Sequence, residues 1–524
     1  MNPLMKTSES DPLRIDSVSM DGVKGQIGMT LCPGKKQEYS TRGPWDRDLD
    51  ADLKAVQQFG AAALVTLMEA DELADVGIPP DRLWGSALAY GLEWHRLPIQ
   101  DVSTPDAYFE NLWVYSGLRL RKLLSRGRNI VIHCRGGLGR TGMIAARLLV
   151  ELGLPPDEAI HRVRAARAGA IETHAQENYV RKSRKIVSPE GGVGHAERFL
   201  GCLLGGAVGD AFGYGVEFMR LSEIQSRFGL MGIREPVYQK GKLVVSDDTQ
   251  MTLFTLEGIQ QGLKGESPSM PALVESIRQA YLDWLGTQGK NYAGPRAKAS
   301  NWLAQCPELN VPRAPGTTCV SSLRDGGRGT IEKHLNESKG CGGAMRSAPA
   351  GLFRRFNPGQ AFELGARSAA ITHGHPSGYL SAGMVAAMIR LLLDEDGLAT
   401  STHKSCQILA RWDGHQETSE TIRKALELAE KNSMDHVDAI RKLGEGWVGE
   451  EAAAIALYSA LAGRDYVEVI RIASNHDGDS DSTASIAGQL WGAWKGIEGI
   501  PHEWIIHLEV LAPLLRLVRL SGNE

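Results

Sequence analysis

No two cysteines of this 524-residue chain fall at the spacing of a paired zinc-ligand motif. The seven, at positions 32, 134, 202, 306, 319, 341 and 406, are scattered and odd in number. That excludes a zinc finger and argues against a disulfide framework, so a reducing cytoplasm is the expected setting. A basic surplus is missing too. The formal net charge is -4, with 23% charged and 42% hydrophobic residues, the composition of a soluble globular protein with no strong nucleic-acid signature and no bias toward disorder. Long apolar runs are scarce: Met1 to Ser17 lacks the apolar core of a signal peptide, and Arg390 interrupts the longest aliphatic stretch, Met384 to Leu393. No membrane contact is expected. Repeats and low-complexity tracts are absent, so the length divides among ordinary domains, two or three at roughly 150 residues each.

What is present is acid in small groups. Gly478-Asp479-Ser480-Asp481-Ser482-Thr483 alternates small and acidic residues between Asn475-His476-Asp477 and the apolar stretch Ala484 to Trp494. Two carboxylates and a hydroxyl at i, i+2 and i+3, in a run that reads as too small and flexible for core, can turn several oxygens toward one point, as a hard divalent cation requires. Far upstream, Ser246-Asp247-Asp248-Thr249 repeats the chemistry after Leu243-Val244-Val245. If the halves meet, four carboxylates share one pocket, tolerable only when protonated or neutralised, for instance by two magnesium-sized ions. The other reading of each run is a polar turn or helix N-cap.

Toward the amino terminus the chain alternates strands and helices after a polar leader of about forty residues. Asp46 to Phe59 has helical spacing and Ala62 to Leu67 reads as a buried strand, with Met68 to Leu73 beginning a polar turn. Glu93 to Leu97 is a second strand, Tyr108 to Arg126 an amphipathic helix, and Asn129 to His133 a strand running into a glycine loop. This predicts an α/β layer with a mostly parallel sheet and ligands beyond the strands' carboxyl ends. There lie Cys134, Arg135, Gly136, Gly137, Leu138 and Gly139, then Arg140 and a helix beginning near Thr141. Such a loop is an anion cradle of inward N–H groups. Its field favours the thiolate of Cys134, a nucleophile, and Arg140 would grip phosphate bidentately. Asp101, on a loop after a strand, is the candidate acid for the leaving oxygen, and Asp106 the second choice because it can simply start the next helix.

His133-Cys134 followed by Arg140-Thr141 resembles the HCxxGxxR[ST] signature of cysteine-dependent tyrosine and dual-specificity phosphatases. The resemblance spans roughly residues 20–186, including Pro98-Ile99-x-Asp101 and Gly169-Ala170-Ile171-Glu172-Thr173, and is similar to the cyclin-dependent-kinase-associated branch. It implies Cys134 as nucleophile, Arg140 as phosphate ligand, Asp101 as general acid and Thr141 as the hydroxyl that stabilises the departing thiolate. A non-catalytic phosphate-binding relic is the rival.

Val187 to Gly194 holds three glycines and a proline, so we expect a domain over 20–187, a linker over 188–195 and a second domain over 196–524. Beyond it the texture turns to long apolar-periodic segments, mostly helical: Glu197 to Phe212, Met251 to Gly262, Leu273 to Leu285, Gln360 to Ala370, Gly378 to Leu393, Glu417 to Lys431, Glu450 to Ala462 and Tyr466 to Ala473. Glycines at 201, 205, 206 and 209 allow close helix approach. Gly340-Cys341-Gly342-Gly343 can lie against a ligand's phosphates. Glu217, alone, would pass as surface charge.

Five ordered blocks resemble the ADP-ribosylglycohydrolase family, which includes the dinitrogenase reductase-activating glycohydrolases. They are Gly209-Asp210 with Glu217; Ser246 to Met251; Arg313 to Cys319; Gly340 to Arg346; and Thr372-His373-Gly374-His375 with Gly478 to Thr483. The resemblance implies an all-α fold with two magnesium ions bound by Ser246, Asp247, Asp248, Asp479, Asp481 and Ser482, and Glu217 as a catalytic acidic ligand or gate. Gly340, Cys341, Gly342, Gly343 and His373 would bind ADP-ribose. Cys341 stands where many members have asparagine, and Ser246 and Ser482 where many have threonine; for His373 a structural role stays open. The expectation is a bifunctional hydrolase acting on an ADP-ribosylated protein or small ADP-ribose conjugate and on a phosphorylated protein or small phosphomonoester. A binding module with one or both pockets inactive, or a hydrolase of small ADP-ribose derivatives, are the alternatives.

Overall fold

In the computed structural model, residues 5–39, 43–186, 193–265, 268–290, 292, 302–394, 397–431 and 435–522 are described. The chain forms two compact units, Met1–Glu190 and Gly191–Glu524. Of the expected linker, residues 188–192 lie outside the described residues.

The first unit runs β1 (Asp16–Val18), β2 (Ile27–Leu31), β3 (Lys36–Gln37), β4 (Trp45–Asp46), α1 (Leu49–Gln58), β5 (Ala61–Thr66), α2 (Ala70–Asp75), α3 (Pro80–Ala89), β6 (Glu93–Arg96), α4 (Ala107–Ser125), β7 (Asn129–Cys134), α5 (Gly139–Leu152), α6 (Pro156–Ala166) and α7 (His174–Lys182). Five strands form one sheet in the order β1-β2-β7-β5-β6, parallel except for β1 against β2. Every residue of β5 is buried, as are Ile130, Val131 and Ile132 of β7, because helices cover both faces of a parallel sheet.

Two expectations are corrected here. The leader read as polar contains β1 and β2, and β2 pairs with β7 from Ile27 opposite Ile130 to Leu31 opposite Cys134. Gly28 and Thr30 break its apolar run, which hid it. Gly28 is sterically required, since a Cβ there would lie 2.6 Å from Ile15 and 3.0 Å from Val131. The polar turn read at Met68 to Leu73 is the start of α2; a six-residue helix is too short to show a period.

The second unit is helical: α8 (His195–Gly213), α9 (Leu221–Phe228), α10 (Asp247–Gly262), α11 (Met270–Thr287), α12 (Thr317–Arg324), α13 (Pro358–Ala370), α14 (Pro376–Leu393), α15 (Leu398–Leu409), α16 (Gln416–Lys431), α17 (His436–Leu443), α18 (Gly449–Ala462), α19 (Tyr466–Ser474), α20 (Ser480–Lys495), α21 (His502–Ile506) and α22 (Leu511–Leu520). By length and composition α14 could cross a membrane, but 94% of it is buried inside the unit, where it packs chiefly on α13 and α15.

At the centre α8 lies directly on α20. Added Cβ atoms on Gly201, Gly205, Gly209 and Gly213 would fall inside 3.0 Å of backbone atoms of Gly492, Gly488, Ala484 and Ser480 respectively. The contact seats the amino end of α20 against the carboxyl end of α8, which carries Asp210. A methyl or larger group at this seam must push the helices apart. We therefore expect Gly488→Val to destabilise the second unit by about 3 kcal/mol. The check is a lowered thermal midpoint for the helical transition with the first unit's transition unmoved; an unchanged midpoint would contradict the seam.

Candidate active sites

Cys134 ends β7, the middle strand, so its loop leaves the sheet where α/β folds hold ligands. The loop turns at Gly137, whose φ of +72° and closeness to the Thr30 backbone leave no room for a side chain. The Gly137 N–H donates to Cys134 Sγ at 3.2 Å. α5 starts at Gly139, two residues ahead of the expected Thr141, and no side chain caps it, which suits its first N–H groups to an anion. Glu172 and Gln176 close against Gly139, so the stretch 169–173 borders the loop.

Arg140 is 2% exposed and held on several sides. Both Nη atoms donate to Glu72 at 2.7 Å, Nη1 donates to the Ile99 carbonyl at 2.9 Å, and Nη2 lies 2.7 Å from Asp101 Oδ1. Burial works against its charge, but Glu72, Cys134 and Asp101 hold its pKa above the ordinary value. Asp101 is mostly exposed, and its Oδ1 also accepts from the Val102 N–H at 3.0 Å. Asp106 accepts from the Phe109 N–H and caps α4. The Thr141 hydroxyl is buried with no hydrogen-bond partner. His133 pairs with Thr66 Oγ1 at 2.7 Å; burial, then Arg140, push its pKa to about 3, so the ring is neutral. Glu72 had no signal in the sequence, because its partner stands 68 residues away.

The second centre lies where α8, α10 and α20 meet. Asp210 accepts from the Ser246 and Thr249 N–H groups at 2.9 Å each, anchoring the start of α10. Ser246 Oγ accepts from the Asp248 N–H at 3.2 Å, and Asp247 Oδ2 from the Gly316 N–H at 3.2 Å. On α20, Asp479 and Asp481 both accept from the Ser482 N–H, at 3.3 and 2.9 Å. Asp479 to Thr483 are all buried, so the run read as too flexible for core is core. The N-cap reading of each run holds, since Ser246 and Asp479 cap α10 and α20, and the acids beside them crowd one region. Asp210, named in the first of the five sequence blocks, is the lone charge in the apolar, glycine-rich half of α8.

Glu217 is 8% exposed. Burial, then Asp481, Asp247 and Asp210, push its pKa to about 10. Burial and neighbouring acids lift Asp247, Asp248 and Asp481 well above the carboxylate range, and burial lifts Asp210 to about 6. Asp248 Oδ2 and Glu217 Oε2 are buried without a hydrogen-bond partner. Such orphaned carboxylate oxygens among like charges fit divalent cations.

Gly340 to Gly343 pack beside this cluster, with Gly340 and Gly342 against the His373 ring and Gly343 against Ala369. Cys341 Sγ reaches Asp479. His373 is buried, its Nδ1 paired with Thr372 Oγ1 at 2.8 Å, and burial, then Arg346, push its pKa to about 3. His375 caps α14 by accepting from the Ser377 N–H at 3.2 Å.

Two hydrolase domains account for these centres. The family model for ADP-ribosylglycohydrolase matches residues 193–523, and the chain belongs to that family. A second model, described as polymorphic toxin system, DSP-PTPase phosphatase, matches residues 42–154, and the first unit is a phosphatase domain of that type. The ADP-ribosyl-[dinitrogen reductase] glycohydrolase of Rhodospirillum rubrum is 25% identical over 321 residues, 60% of this chain and 91% of that protein. Cyclin-dependent kinase inhibitor 3 of Rattus norvegicus is 30% identical over 181 residues, 34% of this chain and 81% of that protein. Among solved structures, a kinase associated phosphatase carrying serine for its catalytic-site cysteine is 29% identical and covers 32% of this chain and 92% of its own, with a TM-score of 0.28.

The acid cluster makes stability depend on pH. A carboxyl with a folded-state pKa near 10, against 4.5 for the ordinary group, binds more protons folded than unfolded between those values. Its stabilisation is complete below about pH 4.5 and is lost as pH rises toward the folded pKa. In chelator, the thermal midpoint of the second unit should fall from pH 5 to pH 9, and magnesium should flatten that slope. A flat profile in chelator would contradict the crowding.

Proposed function

We propose that the chain is a bifunctional hydrolase that cleaves the C1″ linkage of an ADP-ribosylated protein or small ADP-ribose conjugate and, separately, phosphomonoesters through a phosphocysteine intermediate. The observation that carries the first activity is the cluster of buried acids with orphaned oxygens on Asp248 and Glu217. Ser246, Asp247, Asp248, Asp479, Asp481 and Ser482 would hold two magnesium ions, which supply charge to seat the ribose hydroxyls and a water beside the scissile bond. Glu217, protonated while the acids are uncompensated, gates or completes that set. The surrounding negative charge favours the oxocarbenium-like transition state of glycoside cleavage.

In the first unit, Cys134 attacks phosphorus, the 135–139 loop and Arg140 bind the non-bridging oxygens, and Asp101 protonates the departing oxygen. Thr141, with its unpartnered hydroxyl, donates to the thiolate when water releases phosphate. A bound phosphoryl group competes with Asp101 for Arg140. Displaced from that contact, the Asp101 carboxyl is free to serve as acid, while Glu72 keeps Arg140 in place.

Free ADP-ribose should appear from one member of a panel of arginine-, serine-, nucleobase- and phosphate-linked substrates, only with divalent cation. Asp479→Ala should reduce that release about 100-fold or more and leave phosphatase turnover intact. Cys134→Ser should cut phosphatase turnover about 10⁴-fold or more without touching ADP-ribose release. Loss of both activities in either variant would sink the two-site reading.

A further inference from the structure

The thiol of Cys341 stands inside the acid cluster. Its Sγ donates to Asp479 Oδ2 at 2.8 Å and accepts from Ser482 Oγ at 3.6 Å. The backbone beneath it is pinned: the Cys341 N–H donates to the Trp447 carbonyl at 3.1 Å, and its carbonyl accepts from the Ala344 and Met345 N–H groups at 2.8 and 3.1 Å. Gly340 bridges to Val448. Asp248, the acid whose Oδ2 is buried and unpartnered, is one of the two carboxylates whose charge falls on this sulfur. Cys341 thus touches two of the residues assigned above to the metals, in a cluster where Asp248 Oδ2 is buried and unpartnered.

The spacing suits coordination. With metal–sulfur and metal–oxygen distances of about 2.3 and 2.1 Å, a cation separates its sulfur and oxygen ligands by about 3.1 Å at a right angle and about 3.6 Å at a tetrahedral one. The Ser482 separation already has the tetrahedral value. The Asp479 separation of 2.8 Å is shorter than either value and opens by a few tenths of an ångström when a cation replaces the proton.

We propose that Cys341 is a ligand of one of the two metal positions, giving that position a sulfur donor and a preference for zinc-like ions over magnesium. The inference rests on the dinuclear reading above. On binding, the Sγ–metal bond forms, the S–H bond breaks, and the proton leaves to solvent; no electron is transferred. The all-oxygen position would keep its taste for hard ions, so the two positions would differ in kind.

Cobalt(II) added to the full chain tests this. Wild type should show a near-ultraviolet thiolate-to-cobalt charge-transfer band, Cys134→Ser should keep it, and Cys341→Ser should lose it while still binding cobalt by calorimetry. Zinc should bind Cys341→Ser about tenfold or more weakly than wild type, with magnesium affinity changed by less than about twofold. Cobalt binding to wild type without the band would overturn the sulfur ligand and leave the metal centre standing; no calorimetric binding at all would overturn both. If Cys341→Ser does not fold, peptide-mapped alkylation of wild type decides. Zinc, and not magnesium, should protect Cys341, and equal labelling with and without zinc would refute the proposal.

Discussion

Where α8 meets α20, glycines let the two backbones touch, and the placement of the second unit's acids depends on that contact. Glycines at 201, 205, 209 and 213 remove the side chains from one helix, and Gly488 and Gly492 remove them from the other. Glycine costs roughly 0.5–1 kcal/mol of helix stability per position relative to alanine. The return is position: at the end of the seam Gly213 lies against Ser480 and Asp481, so the first turn of α20 is set beside Asp210. Asp210 in turn holds the Ser246 and Thr249 amides, which fixes the first turn of α10. Three helices with no sequence proximity are brought into register by one backbone contact and one carboxylate.

The two centres carry opposite electrostatic deficits. In the first, a buried arginine and a row of loop N–H groups are partly answered by Glu72 and Asp101, which leaves a cradle suited to an anion. In the second, carboxylates face carboxylates, and burial magnifies the repulsion. Each arrangement is incomplete without a partner of the other sign, and that incompleteness identifies a site better than any single residue does.

Much of this could be read from residue order. The run from His133 to Thr141 has a composition that only a strand, a tight loop and a helix start can use, and both acid runs precede helical apolar spacing. What escaped had a physical reason. β2 is five residues long and broken by Gly28, so it has no usable period. α2 is six residues long. Glu72 acquires meaning only when β5 and β7 align and carry α2 to Arg140. The acid run at the start of α20 reads as flexible because small polar residues resemble a loop until a glycine seam buries them. Cys341 looked like a departure from a phosphate loop; its contact with Asp479 became visible only in three dimensions.

Ser246 and Asp479 both cap helices, so the amino ends of α10 and α20 open beside the acids. Each such end carries roughly half a positive charge. Two of them offset about one of the crowded negative charges, and protonation takes up part of the rest. The helical unit can therefore close on its own acids, with its helix ends and bound protons carrying the compensation.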